Sequence, residues 1–150
     1  MIQEATFHLV RAEDRKIDHL TFGRCLIELY KETDDNEILF IAVCQINLGS
    51  SSDANLNCED SVAFASLNLK AAKAAADLSQ FESAYTLIYH AIGFLPAHHW
   101  QDHYALSLEI YELATKCALV SKNLPCLQKL SRQVLDNGRC FGDKIEVIAK

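Results

Sequence analysis

The densest run of side chains able to do chemistry is His98-His99-Trp100-Gln101-Asp102-His103. His99 and His103 are four apart, so on a helix they share a face, and Asp102 stands beside them. Two imidazoles and a carboxylate are a partial ligand set for zinc. A small helical metal-dependent hydrolase using His99, Asp102 and His103 is the enzymatic reading of this run. No H-E-x-x-H motif accompanies it, and the spacing implies no further ligand, so no metal is expected. Tyr85, Tyr89 and His90 form a second cluster, whose plainer reading is a core edge lining the groove of a helical repeat. Lys70 and Lys73 read as a solvated stripe. Cysteine–histidine catalysis needs a positioned pair that the sequence does not name. No G-x-x-x-x-G-K-[ST] and no glycine-rich loop cradles a phosphate. The expectation is a chain without catalytic residues and without a cofactor.

The elements that place these residues run from Leu67 to Leu113. The first helix reaches back to Cys58, and its polar positions Ser66, Lys70, Lys73 and Asp77 step by four, three and four, one solvated stripe at helical period. Val62, Phe64, Leu67, Leu69 and the alanines 71, 72, 74, 75 and 76 fill the remaining girth, so this helix is covered on more than one side. Alanine has the best helix propensity and lets a neighbouring helix approach closely. After a break at Ser79-Gln80, a second helix carries Phe81, Ala84, Tyr85, Ile88, Ala91, Ile92 and Leu95, and Pro96 ends it. Ala84, Ile88, Ala91 and Pro96 are spaced like the second-helix signature of a tetratricopeptide repeat, with Ala72 near the small first-helix position and the earlier aromatic signature missing. The pattern recurs 43 residues later. Leu67, Ala75 and Phe81 correspond to Ile110, Ala118 and Leu124, and the break at Ser79-Gln80 to Lys122-Asn123. Stacked helix pairs of a tetratricopeptide-like kind follow.

Composition agrees. Half of the 150 residues are hydrophobic, with only five Gly and two Pro, which suits helices rather than β-turns. A net charge of −6 leaves no basic footprint for nucleic acid. No apolar run approaches the roughly 20 residues of a membrane span, and the N-terminus lacks a secretory h-region. Cys25, Cys44, Cys58, Cys117, Cys126 and Cys140 form no C-x-x-C pair. They read as reduced, mostly buried thiols of a cytoplasmic protein, with a disulfide framework as the lesser alternative.

Upstream, residues 2–10 form a short helix with Ile2, Ala5, Thr6 and Leu9 on one face. Residues 13–31 form a longer one with Ile17, Leu20, Phe22, Leu26, Leu29 and Tyr30 as apolar positions. Gly23 inside it signals a close helix contact. Thr33-Asp34-Asp35 offers caps for the next element. That element contains Ile38 to Cys44, a run that alone also fits a buried strand. Its acidic start and the Asn47-Leu48-Gly49 stop favour a helix. Residues 49–57 are the one real loop. Residues 1–48 and 57–150 are therefore its two parts within one continuous domain. After Pro96 come a helix over 101–120, with Glu112 and Lys116 ordered as an i,i+4 pair, and one capped by Asn123, with Pro125 in its first turn and Leu127, Leu130 and Val134 as its stripe. Asn137-Gly138 stops it, and a last helix starts at 142. Seven or eight helices are expected.

Several segments resemble, in order, the region after the NTPase core of multidomain signal-transduction ATPases that fuse a serine/threonine kinase, an AAA-type predicted ATPase and a sensor histidine kinase. They are Ile2-Gln3-Glu4-Ala5, Asp14-Arg15, His19-Leu20-Thr21-Phe22-Gly23-Arg24, Gln45-Ile46-Asn47-Leu48-Gly49, Leu67-Asn68-Leu69-Lys70-Ala71-Ala72-Lys73-Ala74, Trp100-Gln101-Asp102-His103-Tyr104 and Asp143-Lys144. The resemblance spans nearly the whole chain. It implies a helical-repeat arm that senses or relays state, with the nucleotide site upstream, so that ATPase activity is not carried over. It implies that this chain is a remnant or piece of such a protein. It gives Trp100, His103 and Tyr104 a packing role at a helix start.

The function expected is a non-catalytic helical-repeat interaction and regulatory module in an all-α, right-handed superhelix of antiparallel helix pairs. Its partner is a protein, either neighbouring ATPase or kinase domains or a peptide, and neither nucleic acid nor a membrane. Phe7, Leu9, Tyr85, Tyr89, Trp100 and Tyr104 are the expected interaction residues. Phe7 and Leu9, on a helix that cannot hide every apolar side chain against one partner, would support weak self-association.

Overall fold

The computed structural model describes residues 12–50 and 56–148. Among them lie eight helices and no strand: α1 (Ala12–Thr33), α2 (Asn36–Ser50), α3 (Cys58–Asp77), α4 (Phe81–Phe94), the four-residue α5 (His99–Asp102), α6 (Tyr104–Val120), α7 (Leu124–Asn137) and α8 (Phe141–Ile148). The all-α class is as expected. The helix expected over 2–10, with Phe7 and Leu9, lies outside the described residues. The chain divides into two compact units, Met1–Leu56 and Asn57–Lys150.

In the first unit α1 and α2 form a helical hairpin. The turn is made by Asp34 at φ 50°, whose N–H donates to the Tyr30 carbonyl at 2.8 Å. Asp35 caps α2, its Oδ1 accepting from the Glu37 N–H at 2.8 Å. In the apolar run Leu39, Ala42, Val43 and Ile46 are fully buried. Spacing of three, one and three is a helix face, which decides against a strand. Gly23 does mark a close contact. A Cβ there would lie 2.9 Å from Ile46 Cγ1 and 3.2 Å from the Ala42 carbonyl oxygen. The expected stop at Asn47-Leu48-Gly49 is not one, since α2 runs on through Ser50. Gly49 serves a second close contact, with a Cβ there 2.6 Å from Leu20 Cγ and 2.8 Å from the Lys16 carbonyl oxygen. A hydrogen bond of 2.7 Å joins His19 Nδ1 and Gln45 Oε1 across the same hairpin. Of the apolar positions of α1, Ile17, Phe22 and Leu29 are exposed, while Tyr30, with Ile27, is buried. Among the described residues of this unit α1 packs against α2, which covers one face. The apolar positions read from the sequence spread over more than that face.

The second unit repeats one device. At the end of α3, Ser79 adopts φ 60° and the Gln80 N–H reaches back to the Ala75 carbonyl at 2.9 Å. At the end of α6, Lys122 adopts φ 54° and the Asn123 N–H reaches the Ala118 carbonyl at 2.9 Å. Both are left-handed helix endings of the Schellman kind, with a non-glycine residue in the turn. They stand at the two breaks that the 43-residue repeat marks. Asn57 caps α3 by accepting from Asp60 N–H at 2.7 Å, and Asn123 caps α7 by accepting from Cys126 N–H at 3.2 Å. α3 packs on α4, α4 on α6 and α6 on α7, and α3 also meets α6. The core is built from Phe64, Ala65, Ala72, Ala75, Ala84, Ile88, Ala91, Ile110, Ala114, Ala118 and Val134. Alanines at these seams let the helix axes come close. The solvated stripe of α3 is as expected, although Lys73 pairs with Glu109 of α6 rather than standing alone.

One break is a correction and one is as expected. The helix expected over 101–120 is split: α5 is a separate turn, and His103, at φ −130° and ψ 47°, lies between it and α6. The Ser107 hydroxyl bonds back to the His99 and His103 carbonyls at 3.1 and 2.9 Å, which ties the two segments together. Gly138 ends α7 without a left-handed turn, at φ −59°. Glycine is required there by approach, because a Cβ would lie 2.8 Å from the Val134 carbonyl oxygen.

Candidate functional site

A groove of about 250 Å³ opens between α4, α6 and α7. Its floor is Ile88, Ala114 and Leu130, all buried, with Ile92 half-buried beside them. The repeat spacing of α4 sends Ile88 and Ile92 to this side, and the same spacing brings Tyr85 and Tyr89 above them. Tyr85, Tyr89 and Tyr111 are the aromatic walls. Tyr89 is 68% exposed. Cys126, Lys129 and Gln133 complete the lining from α7. The Tyr85 hydroxyl and the Cys126 thiol are hydrogen-bonded at 2.8 Å. That bond and burial push the Tyr85 phenol up to about 12, so it stays neutral at physiological pH. Its hydroxyl is engaged, and what it offers an occupant is its ring face.

Sequence reasoning singled out Tyr85 and Tyr89 and missed the α7 contribution. The signal was available. Cys126, Lys129, Leu130 and Gln133 step by three, one and three, a helical stripe beside the expected Leu127, Leu130 and Val134.

The histidine run is arranged differently from a metal site. His99 Nδ1 lies 2.8 Å from Ser107 Oγ, and its ring stacks on Tyr111 with centroids 5.9 Å apart. Burial lowers the His99 pKa, and the nearby His103 lowers it further. The serine–histidine pair is not a nucleophile and base, because Ser107 is wholly buried and already bonds two carbonyls. Asp102 is exposed. Among the described residues no three His, Cys, Asp or Glu side chains are placed to hold a metal ion.

Trp100 and Tyr104 are engaged within the unit. Trp100 is 8% exposed, and its ring centroid lies 5.2 Å from that of Tyr111 and 5.9 Å from that of Tyr104. Its indole N–H is buried without a partner. The Tyr104 hydroxyl donates to Asp143 Oδ2 at 2.6 Å and accepts from the Arg139 N–H at 2.7 Å. The Arg139 guanidinium sits 4.1 Å from the Tyr104 ring centroid, a cation–π contact. The Tyr104 bond and those from Cys140 hold the Asp143 carboxyl below its ordinary range. This knot fastens α8 to the start of α6.

The cysteines depart from expectation. All six are free thiols, but Cys25, Cys44, Cys58 and Cys140 are exposed, Cys126 is half-buried, and Cys117 alone is buried. Cys25, Cys44 and Cys58 lie on helices and Cys140 in the bend between α7 and α8. Burial raises the Cys117 thiol pKa.

No described helix is long and apolar enough to cross a membrane. Compared with known proteins, the chain matches no family model, no curated protein and no solved structure.

Proposed function

We propose that this chain is a non-catalytic helical-repeat module that binds a partner polypeptide in the groove between α4, α6 and α7, as part of a cytoplasmic signalling ATPase or histidine-kinase-type system. Residues 57–150 are read as tetratricopeptide-like pairs, α3 with α4 and α6 with α7, in a right-handed superhelix. The repeated left-handed turns at Ser79 and Lys122 support that pairing. Concave surfaces between stacked helix pairs are the usual peptide sites of such arrays. The observation that carries the reading is Tyr89, 68% exposed at the edge of an apolar floor. Large exposed rings rimming an apolar depression mark interaction sites.

The test is a selection of random peptides displayed on phage against the full chain and against Tyr89→Ala. Enriched sequences that bind wild type and lose binding to Tyr89→Ala support the reading. No enrichment, or sequences that bind both alike, overturns it. The exposure of Tyr89 makes loss of fold a minor concern, and circular dichroism checks it.

A further inference from the structure

We infer that the occupant of the α4–α6–α7 groove is an acidic peptide segment, anchored by one apolar side chain against Tyr85 and Tyr89 and by a carboxylate on Lys129. The inference rests on the interaction-module reading and adds the chemistry of the partner.

Size sets the first limit. At about 250 Å³ the groove is smaller than the roughly 300–1,000 Å³ of small-molecule and cofactor sites. It has room for a large side chain, with the rest of the occupant lying outside. The buried floor of Ile88, Ala114 and Leu130 makes that side chain apolar. The two tyrosine rings flank it, one held in place by Cys126 and the other exposed at the edge, edge-to-face with His90.

Charge sets the second. The chain carries 20 acidic residues against 14 lysines and arginines, yet no residue lining the groove is acidic and one is Lys129. The pattern continues over α7. A larger, more open depression of about 750 Å³ adjoins it along α7, lined by Lys129 and Arg132 and again by no acidic residue. Lys129 and Gln133 border both depressions, so a segment crossing α7 meets Lys129 and then Arg132. On a chain of net negative charge this basic, acid-free track is the place where a carboxylate-bearing segment is attracted and a basic one repelled.

The experiment uses the full chain and fluorescein-labelled short peptides with one central leucine. The residues flanking it are glutamates in the first peptide, glutamines in the second and lysines in the third. A fourth keeps the glutamates and replaces leucine with serine. Polarisation gives affinities. Alkylation by N-ethylmaleimide, read by mass spectrometry, reports protection of Cys126, with exposed Cys25, Cys44, Cys58 and Cys140 as internal controls. The glutamate peptide should bind and slow alkylation of Cys126 alone. The glutamine peptide should bind about tenfold more weakly, and Lys129→Gln should remove that difference while Lys129→Arg keeps it. The serine peptide should lose binding. Equal affinity of the glutamate and glutamine peptides, or preference for lysine, overturns the charge assignment and leaves a peptide groove standing. Binding that leaves Cys126 unprotected, or no binding by any of the four when the phage selection has succeeded, overturns the site assignment.

Discussion

Three glycines in this chain should answer one substitution with opposite signs. Replacing glycine with alanine inside a helix gains up to about 1 kcal/mol of propensity, and less near an end. Overpacking typically costs about 1–3 kcal/mol. At Gly49 the added methyl would sit 2.6 Å from Leu20 Cγ and 2.8 Å from both Leu20 N and Lys16 O. Two of those three atoms are backbone, so α1 itself must move, and the net effect is a loss of about 1–2 kcal/mol. At Gly23 the nearest atom is the Ile46 side chain at 2.9 Å, with backbone at 3.1 and 3.2 Å. A small shift relieves most of that, leaving a net loss of about 0–1 kcal/mol. At Gly93, near the end of α4, nothing lies within 4 Å, so Gly93→Ala should stabilise by about 0.5 kcal/mol. Urea unfolding followed by the helical circular dichroism signal gives all three values. The first two belong to the α1–α2 hairpin and the third to the second unit, so the part of the transition that moves is itself a check. If Gly49→Ala stabilises as Gly93→Ala does, α1 and α2 do not approach as described.

Ser79→Gly and Lys122→Gly should each raise stability by about 0.5–1 kcal/mol, because both native residues hold a left-handed φ that glycine adopts without strain; a fall in melting temperature for either contradicts the turn geometry. His90 and His99 are both held below the ordinary histidine value of 6.5, chiefly by burial. The unfolded chain then binds more protons than the folded one, so stability is full above about pH 6.5 and falls as the pH drops through the lowered values. The double variant His90→Gln/His99→Gln should flatten that slope between about pH 5 and 7, and an unchanged slope would show that neither ring is the cause. Tyr104→Phe removes the hydroxyl that joins Asp143 and Arg139, at a cost of about 1–2 kcal/mol. Amide exchange in α8 should quicken while that in α3 is unaffected; equal change in both would place the knot's role elsewhere.

Helix positions were legible in the sequence wherever caps and periodic stripes agreed. Asp35 and Asn123 each cap the helix that follows, and the 43-residue repeat finds both left-handed turns, because a break between periodic runs is a local signal. Glycine was ambiguous. Gly49 has the same residue type as a helix stop, but its reason is the approach of Leu20, a tertiary fact. The exposed sides of Ile17, Phe22 and Leu29 depend on how many neighbours α1 has, which no periodicity contains. Half of the groove was legible through Tyr85 and Tyr89. The stripe of Cys126, Lys129, Leu130 and Gln133 was legible as a helix face, but its place across the groove from α4 was not, since that comes from how α7 packs. His99 shares a helical spacing with His103, but the chain breaks between α5 and α6, and Ser107 takes the imidazole instead.

The central claim is that a polypeptide occupies the α4–α6–α7 groove, and isoleucine methyl resonances test it most directly. Ile88 and Ile92 line the groove, whereas Ile27, Ile38, Ile41 and Ile46 belong to the α1–α2 hairpin and Ile110 to the interior of the second unit. With the chain labelled at isoleucine δ1-methyl groups, a peptide taken from the phage selection should shift Ile88 and Ile92 saturably and leave the hairpin methyls in place. Saturable shifts confined to Ile27, Ile41 and Ile46, with Ile88 and Ile92 unmoved, would contradict the account.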